Sequence, residues 1–221
     1  MSKMLPLLLV AVLLGGCSML PEGNRQARKS ARPAQAAYNP TPDERQCLSQ
    51  LGQTQANFTP LPNQYYGGGC STQNTVQLAA LRSDYSQLSL ANIGPVACPL
   101  ANTFAGWARF GVDRAARAVL GSPLARIETM GSYNCRNVAG SGRRSAHATA
   151  NAIDVSAFIL EDGRRISVKN GWRNGNAAER QFLRIVHESA CKRFGTVLGP
   201  EYNAAHEDHF HVEGSGKSFC R

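Results

Sequence analysis

Six cysteines downstream of an export-like N-terminal segment constrain the fold of this chain more than any other sequence feature. They are Cys47, Cys70, Cys98, Cys135, Cys191 and Cys220. An even number of cysteines in an exported chain predicts three disulfides, for which sequence alone allows fifteen pairings. Proximity favours Cys47 with Cys70, Cys98 with Cys135, and Cys191 with Cys220. A cysteine-ligated zinc is disfavoured because no two cysteines have C-x-x-C spacing.

The export-like segment is the apolar stretch 4–14, which follows one lysine and is too short to span a bilayer. It ends in LGGC, which resembles the lipobox of bacterial lipoproteins, whose cysteine is lipidated after cleavage. We therefore expect a signal peptide at 1–16 and a lipidated Cys17, with an ordinary signal peptide as the alternative. The serine after the cysteine, Ser18, resembles the residue found at this position in outer-membrane lipoproteins. This resemblance implies a periplasmic protein anchored in the outer membrane. No later segment is apolar enough to span.

Residues 18–46 are rich in Pro, Ala, Gln and Arg and contain almost no large aliphatic side chains. This composition predicts a disordered basic linker between Cys17 and a single domain at 47–221. Of the 24 basic residues, Lys3 leaves with the signal peptide, so 23 remain beside 15 acidic residues. Such a surface attracts polyanions. In the periplasm these are peptidoglycan carboxylates and phosphorylated lipids, whereas no nucleic-acid recognition motif is present.

Two segments of the domain have the pattern of helices. The segment 98–120 places Pro99 in its first turn and stops at Gly121. The segment 176–194 repeats apolar residues at helical spacing. His187 falls in this second helix without a partner at liganding spacing, so we interpret it as a surface or packing histidine.

Two other segments predict strands. Asp162-Gly163 joins two apolar runs, which is a strong signal for a β-hairpin. The segment 206–214, HEDHFHVEG, alternates in polarity. One face of that strand would carry His209, His211 and Glu213, and the other Phe210 and Val212. The histidines would therefore line whatever lies opposite the core.

Asp154 lies inside the apolar run AIDVSAF, where a carboxylate is costly unless a cation compensates for its lost hydration. A catalytic zinc would do so, with three ligands from His, Asp or Glu and a fourth position for water. His147, Asp154 and one histidine of the C-terminal strand would supply these ligands. Four of the five histidines, at 147, 206, 209 and 211, lie in these two short segments.

These residues resemble a known signature, S-x-H-x-x-G-x-A-x-D followed much later by H-x-H. It occurs in a group of zinc peptidases that includes lysostaphin-type enzymes, D-alanyl-D-alanine carboxypeptidases and penicillin-insensitive murein endopeptidases. The hedgehog domain belongs to the same group. The matching positions are Ser145, His147, Ala152, Asp154, His209 and His211. The segments 131–138 and 194–213 and the terminal cysteine resemble the bacterial extensin-like C-terminal domain family, a branch of that group. The resemblance covers 47–221.

The resemblance implies an α+β fold, a single disulfide-stabilised domain in which an antiparallel sheet carries a zinc site and helices pack on the sheet. It implies that the metal ligands are His147, Asp154 and His211. It also implies that His209 is the catalytic partner, oriented by His206. Strand geometry favours His209 over Asp208, the alternative base, because Asp208 in a regular strand would point with Phe210.

Four further residues of the ligand loop and its surroundings have expected roles. Ser145 would support the ligand loop by hydrogen bonding. Arg136 with Arg143 or Arg144 would bind a substrate carboxylate or the oxyanion, with solvated surface arginines as the equal alternative. Ala150 stands where the family usually has glycine. A positive φ at this position would cost alanine about 1 kcal/mol.

The function implied is a zinc-dependent peptidoglycan peptidase acting on bonds that contain D-amino acids. Endopeptidase activity on cross-links is favoured over removal of a terminal D-alanine, and a monomer is expected. The alternative is a non-catalytic lipoprotein that binds the wall and tethers the outer membrane to it, which Ala150 favours. A metal-free structural domain would require the histidine cluster to be accidental.

Overall fold

The α+β class predicted from the sequence is confirmed in a computed structural model that describes residues 38–214 and 218–221. The predicted signal peptide, Cys17 and the linker up to residue 37 lie outside the described residues. The described helices are α1 (Pro42–Gln53), α2 (Cys98–Trp107), α3 (Val168–Asn174) and α4 (Ala177–Cys191). No helix in this part of the chain is both long and apolar enough to cross a membrane.

Within residues 38–214 and 218–221, twelve strands form one large and one small sheet. The first six are β1 (Asn57–Pro60), β2 (Gln64–Gly67), β3 (Cys70–Thr72), β4 (Thr75–Arg82), β5 (Gln87–Ala91) and β6 (Pro95–Ala97). The others are β7 (Leu124–Gly131), β8 (Ala152–Leu160), β9 (Arg165–Ser167), β10 (Thr196–Leu198), β11 (Phe210–Glu213) and β12 (Phe219–Cys220). The large sheet has the order β1-β4-β5-β7-β8-β11-β10-β12, with β6 paired to β4 and β9 to β8, while β2 and β3 form a separate hairpin.

The large sheet is mixed, which corrects the expectation of an antiparallel sheet. Strands β5 and β7 are parallel neighbours, as are β10 and β12. The helical segment between β5 and β7 explains the first pair, because parallel neighbours need a long crossover connection.

Helix α1 begins inside the segment expected to be linker. Thr41 caps it, and its side chain and backbone exchange hydrogen bonds with Glu44 in a capping box. Pro42 occupies the first turn, where its missing N–H costs nothing. Helical structure therefore starts before the predicted domain boundary at residue 47.

The predicted helix over 98–120 is confirmed in extent. Helix α2 continues through two π-helical segments, Ala108–Asp113 and Ala116–Leu120, and stops at Gly121, whose φ is +70°. The second predicted helix is three residues too long, because α4 ends at Cys191. Phe194 had extended the apolar periodicity, and it packs in the core from beyond the helix.

The core lies between the large sheet and the helices. Its largest buried aromatic side chains are Trp107, Phe104, Phe158, Phe182 and Phe210. The Trp107 indole N–H donates to the Val186 carbonyl at 3.2 Å, which ties the α2 segment to α4. Phe210 pairs in register with Val155 of β8, and both are fully buried. The opposite faces of β8 and β11 are therefore free to carry polar groups.

The described residues contain three disulfides, but two of the pairings expected from proximity are wrong. Cys47 pairs with Cys98, Cys70 with Cys135, and Cys191 with Cys220, at Cα–Cα distances of 6.1, 5.5 and 5.6 Å. Helix α1 packs against α2, which brings Cys47 to Cys98. The β2–β3 hairpin meets the loop after β7, which brings Cys70 to Cys135. Only the pair Cys191–Cys220 was predicted correctly.

Candidate metal centre

The pairing of β8 with β11 places Asp154 directly opposite His211. Asp154 Oδ1 lies 2.8 Å from His211 Nδ1. The apolar neighbours of Asp154 face the core, and their partners on β11 do the same, so the two polar residues share the other face. His211 is therefore the partner that offsets the free-energy cost of burying the Asp154 carboxylate in a strand.

His147 reaches the same point from the loop before β8. A short 3₁₀ turn, Ala146–Thr149, carries it, and the Ser145 hydroxyl caps the turn by accepting a hydrogen bond from the His147 backbone N–H at 3.4 Å. The His147 Nδ1–H donates to the Ser132 carbonyl at 3.1 Å. Its Nε2 therefore faces the group, 3.1 Å from Asp154 Oδ2 and 3.3 Å from His211 Nδ1.

Ala150 closes this turn with a φ of +55° and a ψ of +24°. A side chain in this left-handed conformation costs about 1–2 kcal/mol. Two hydrogen bonds hold it there: its N–H donates to the His147 carbonyl, and its carbonyl accepts from the Ala97 N–H. Alanine at this position has therefore not displaced His147 from Asp154.

The three predicted ligands thus converge, with donor atoms within 4.8 Å of one another. A tetrahedral zinc with bonds of about 2.0–2.1 Å has ligand atoms about 3.3 Å apart. His147 Nε2 lies 3.1 Å from Asp154 Oδ2 and 3.3 Å from His211 Nδ1, which are close to this value. The other carboxylate oxygen, Asp154 Oδ1, is hydrogen-bonded to His211 Nδ1 at 2.8 Å. The two imidazoles and the carboxylate therefore fit a zinc ion that replaces this hydrogen bond.

Glu213 completes the surroundings of His211, although the sequence alone predicted no role for it. Its Oε1 accepts a hydrogen bond from His211 Nε2 at 2.9 Å. The alternation of the C-terminal strand had placed it on the face of His211, which was the available signal. Burial lowers the pKa of His211, but hydrogen bonds to Asp154 and Glu213 outweigh burial and raise the pKa to about 9.

The pKa values of the two carboxylates, Asp154 and Glu213, are lowered instead of raised. Burial raises the pKa of Asp154, but hydrogen bonds from His147 and His211 and their positive charge hold that pKa well below its ordinary value. Burial likewise raises the pKa of Glu213, and its hydrogen bond with His211 lowers the pKa by more. Both carboxylates are therefore ionised at neutral pH, as metal ligation and hydrogen bonding to imidazole require.

His209 lies beside the three ligands without joining them. Its Nε2 is 3.5 Å from Asp154 Oδ1, and its Nδ1–H donates to Asp208 Oδ1 at 2.8 Å. Asp208 precedes β11 in a turn, so its carboxylate points to His209 and not with Phe210 as a regular strand would require. The two residues form a carboxylate–imidazole pair with Nε2 directed at the centre.

His206 is the outermost imidazole. Its ring centroid lies 5.1 Å from that of His209, and its Nδ1–H donates to Asn203 Oδ1 at 2.7 Å. Burial and the neighbouring imidazoles, His209 and then His211, lower its pKa to about 4. His206 is therefore neutral at physiological pH.

A cavity of about 600 Å³ opens over this group. Arg136, Arg143 and Ser145 line the cavity, as do Tyr202 and Phe219, whose ring centroids lie 5.8 Å apart in an edge-to-face arrangement. Among the described residues no acidic side chain pairs with Arg136 or Arg143.

Arg144, expected to bind substrate, lies elsewhere. Its guanidinium donates to the Gly68 carbonyl and to Asn137 Oδ1, which attaches the ligand loop to the β2–β3 hairpin. Of the two arginines that the sequence offered for this role, Arg143 is the one that reaches the cavity.

A second cluster of possible ligands contains His187, Cys191 and Cys220. Its two sulfurs form a disulfide, so His187 is its only available ligand. The His187 ring packs between Trp172 and Phe210, as expected of a packing histidine. Burial lowers its pKa.

No curated protein and no solved structure showed significant similarity to the chain. One protein-family model, described as extensin-like protein C-terminus, matches residues 45–221. The match includes all six paired cysteines and every residue of the centre. Since it spans most of the 221 residues, this chain belongs to the extensin-like protein C-terminal family.

Proposed function

We propose that this protein is a zinc-dependent peptidoglycan peptidase related to the lysostaphin, D-Ala-D-Ala peptidase and hedgehog group. The observation that carries the proposal is the convergence of His147, Asp154 and His211 beneath an open cavity. Two imidazoles and a carboxylate with one side open are the donor set of catalytic zinc sites. A bound zinc ion would supply Lewis acidity, polarising a peptide carbonyl and acidifying a water molecule.

The chain's own residues would carry the proton. His209 Nε2 accepts a proton from the attacking water and delivers it to the leaving amine nitrogen, so no covalent enzyme intermediate forms. Asp208 holds the Nδ1–H of His209, which fixes the tautomer that keeps Nε2 free to accept. His206, neutral and anchored on Asn203, limits the space in which the His209 ring can turn.

The cavity supports an anionic peptide as substrate. The guanidinium groups of Arg136 and Arg143 are available for bidentate binding of carboxylates, which peptidoglycan stems carry. The aromatic side chains of Tyr202 and Phe219 also line the cavity and offer an apolar surface to the remainder of the stem. The open form of the cavity favours cleavage of cross-links by an endopeptidase over trimming of a terminal D-alanine.

This function agrees with the expected location. A lipid on Cys17 and the linker behind it would hold the domain in the periplasm, within reach of the wall. The basic balance of the chain, 24 basic against 15 acidic residues, would favour association with the anionic polymer. A monomer suffices, because one chain supplies every proposed ligand.

Metal analysis followed by incubation with cross-linked muropeptides, with and without a chelator, tests the proposal. We expect one zinc per chain and cleavage that stops with chelator and returns with zinc. Zinc without cleavage would support the alternative, a wall-binding lipoprotein, and absence of zinc at pH 7 would leave a structural domain.

Two variants separate the roles within the centre. His211→Ala should lose metal and activity together. His209→Ala should keep the metal and lower kcat by about 10²–10⁴-fold. The matched control is Glu188→Gln, on the exposed side of α4, which should behave as the parent. Unchanged cleavage in both histidine variants would contradict these roles.

A further inference from the structure

His211 is held from the side opposite the other ligands by Glu213. The contact joins His211 Nε2 to Glu213 Oε1 at 2.9 Å, with side chains only 8% and 24% exposed. The two residues are two positions apart on β11 and thus share a face. Glu213 is placed by its strand, since it pairs in register with Thr196 of β10 on one side and Ala152 of β8 on the other.

In the neutral ring, which is the form that binds a metal, this contact favours one position for the single hydrogen of His211. An ionised carboxylate only accepts hydrogen bonds, so Nε2 must be the donor in its contact with Glu213. A neutral imidazole carries one hydrogen, which leaves the lone pair on Nδ1. Nδ1 is the atom that faces Asp154 and His147, at 2.8 and 3.3 Å. Glu213 thus favours the tautomer whose lone pair points into the ligand group.

Asp154 opposes this preference when the ring of His211 is neutral and carries a single hydrogen. Its Oδ1 lies 2.8 Å from Nδ1 and would draw the hydrogen to that side of the ring. Without Glu213, the neutral ring would place its hydrogen between Nδ1 and Asp154, where it would block ligation. The two carboxylates therefore compete for the single hydrogen, and Glu213 is the one that keeps Nδ1 available.

The other histidine ligand shows the same arrangement with the nitrogens exchanged. His147 donates Nδ1–H to the Ser132 carbonyl at 3.1 Å and turns Nε2 toward the group. Each imidazole is thus anchored through its distal nitrogen by an oxygen acceptor. Such contacts orient metal-binding histidines and increase their basicity.

We propose that Glu213 is a positioning residue, which fixes the tautomer and ring orientation of His211 so that Nδ1 binds the metal. The identity of the metal rests on the proposed function, whereas the hydrogen on Nε2 does not. Loss of such a contact typically costs 10–100-fold in metal affinity.

Three variants test the proposal in the full chain: Glu213→Ala, Glu213→Gln and the exposed control Glu188→Gln. Zinc affinity is measured by competition with a chromophoric chelator. We expect Glu213→Ala to bind zinc about 10–100-fold more weakly than the parent. Glu213→Gln should fall between them, since its amide oxygen can still accept from Nε2. Both Glu213 variants lose the same charge, so their difference reports the hydrogen bond alone.

A second measurement does not need the metal. Imidazole ¹⁵N NMR of the metal-free chain, recorded above the pKa of His211 where its ring is neutral, should show an exchange-protected N–H on His211 Nε2 that disappears in Glu213→Ala. If the parent binds no zinc, the proposed function fails and this signal alone decides the role of Glu213. Equal zinc affinity in Glu213→Ala and Glu188→Gln, equal losses in both Glu213 variants, or no protected Nε2–H would overturn the inference.

Discussion

The metal-free protein should lose stability as the pH rises from 7 to 9, because His211 is a cation held between two carboxylates. Its two N–H groups donate to Asp154 at 2.8 Å and to Glu213 at 2.9 Å. Burial lowers the pKa of His211, but these hydrogen bonds raise it to about 9, from an ordinary value of 6.5. A pKa raised by folding stabilises the folded state fully below pH 6.5, and this contribution disappears as the pH rises through 9.

The two pKa values of His211 set the size of the effect. With a folded pKa of about 9 and an unfolded value of 6.5, the bound proton contributes about 2–3 kcal/mol at pH 7 and less than about 1 kcal/mol at pH 9. The free energy of unfolding should therefore fall by about 2 kcal/mol over this range. Asp154 adds nothing further, because its pKa is lowered and it stays ionised throughout.

Urea denaturation in the presence of a chelator, at pH 7, 8 and 9, measures this loss. The reference is His211→Gln, which keeps a polar side chain but cannot titrate, so its pH slope reports all other groups. With saturating zinc, the stability of the parent relative to His211→Gln should instead rise with pH. The metal competes with the proton for Nδ1 and therefore binds more tightly as the pH rises. Parallel pH profiles for the parent and His211→Gln in chelator would refute the reasoning.

Three further predictions concern neighbouring features. Asp208→Ala should lower kcat for muropeptide cleavage about 10–100-fold with little change in KM or zinc content, because it releases the Nδ1–H of His209; an unchanged kcat would count against the pair. Ala150→Gly should change the free energy of unfolding by less than about 1 kcal/mol, since relief of a left-handed alanine is offset by a lost buried methyl and by chain entropy; a larger shift in thermal denaturation would contradict this. Replacing both Cys47 and Cys98 by alanine should lower the free energy of unfolding in urea by about 4 kcal/mol, the chain-entropy value for their separation of 51 residues; a loss below about 1 kcal/mol would be inconsistent with it.

Local signals in the sequence were sufficient for most elements around the centre. Asp162-Gly163 predicted the turn between β8 and β9, and Gly163 adopts a φ of +87° there. Gly121 ended the α2 segment for the same conformational reason. These predictions held because turn and helix-stop residues act on the backbone within a few positions of themselves. Where the local pattern continued past the element, as at Phe194, the boundary was misplaced.

Features that depend on distant contacts were beyond the sequence. Disulfide partners follow from helix and hairpin packing, so chain proximity misassigned Cys47 and Cys70. The parallel pairing of β5 and β7 depends on where the helical segment between them returns to the sheet. Arg144 and Arg143 are adjacent in sequence, and only the fold sends one to Gly68 and the other to the cavity.

The sequence by itself determined the chemistry available to this protein: which imidazoles and carboxylates it carries, and that alternation along β11 puts His211 and Glu213 on one face. The tertiary structure alone decided that β8 and β11 pair with Asp154 opposite His211, and that His147 folds over both. Alternation is a property of each strand taken singly, whereas register between strands far apart in the chain is set by the packing of Phe210 and Val155 in a shared core.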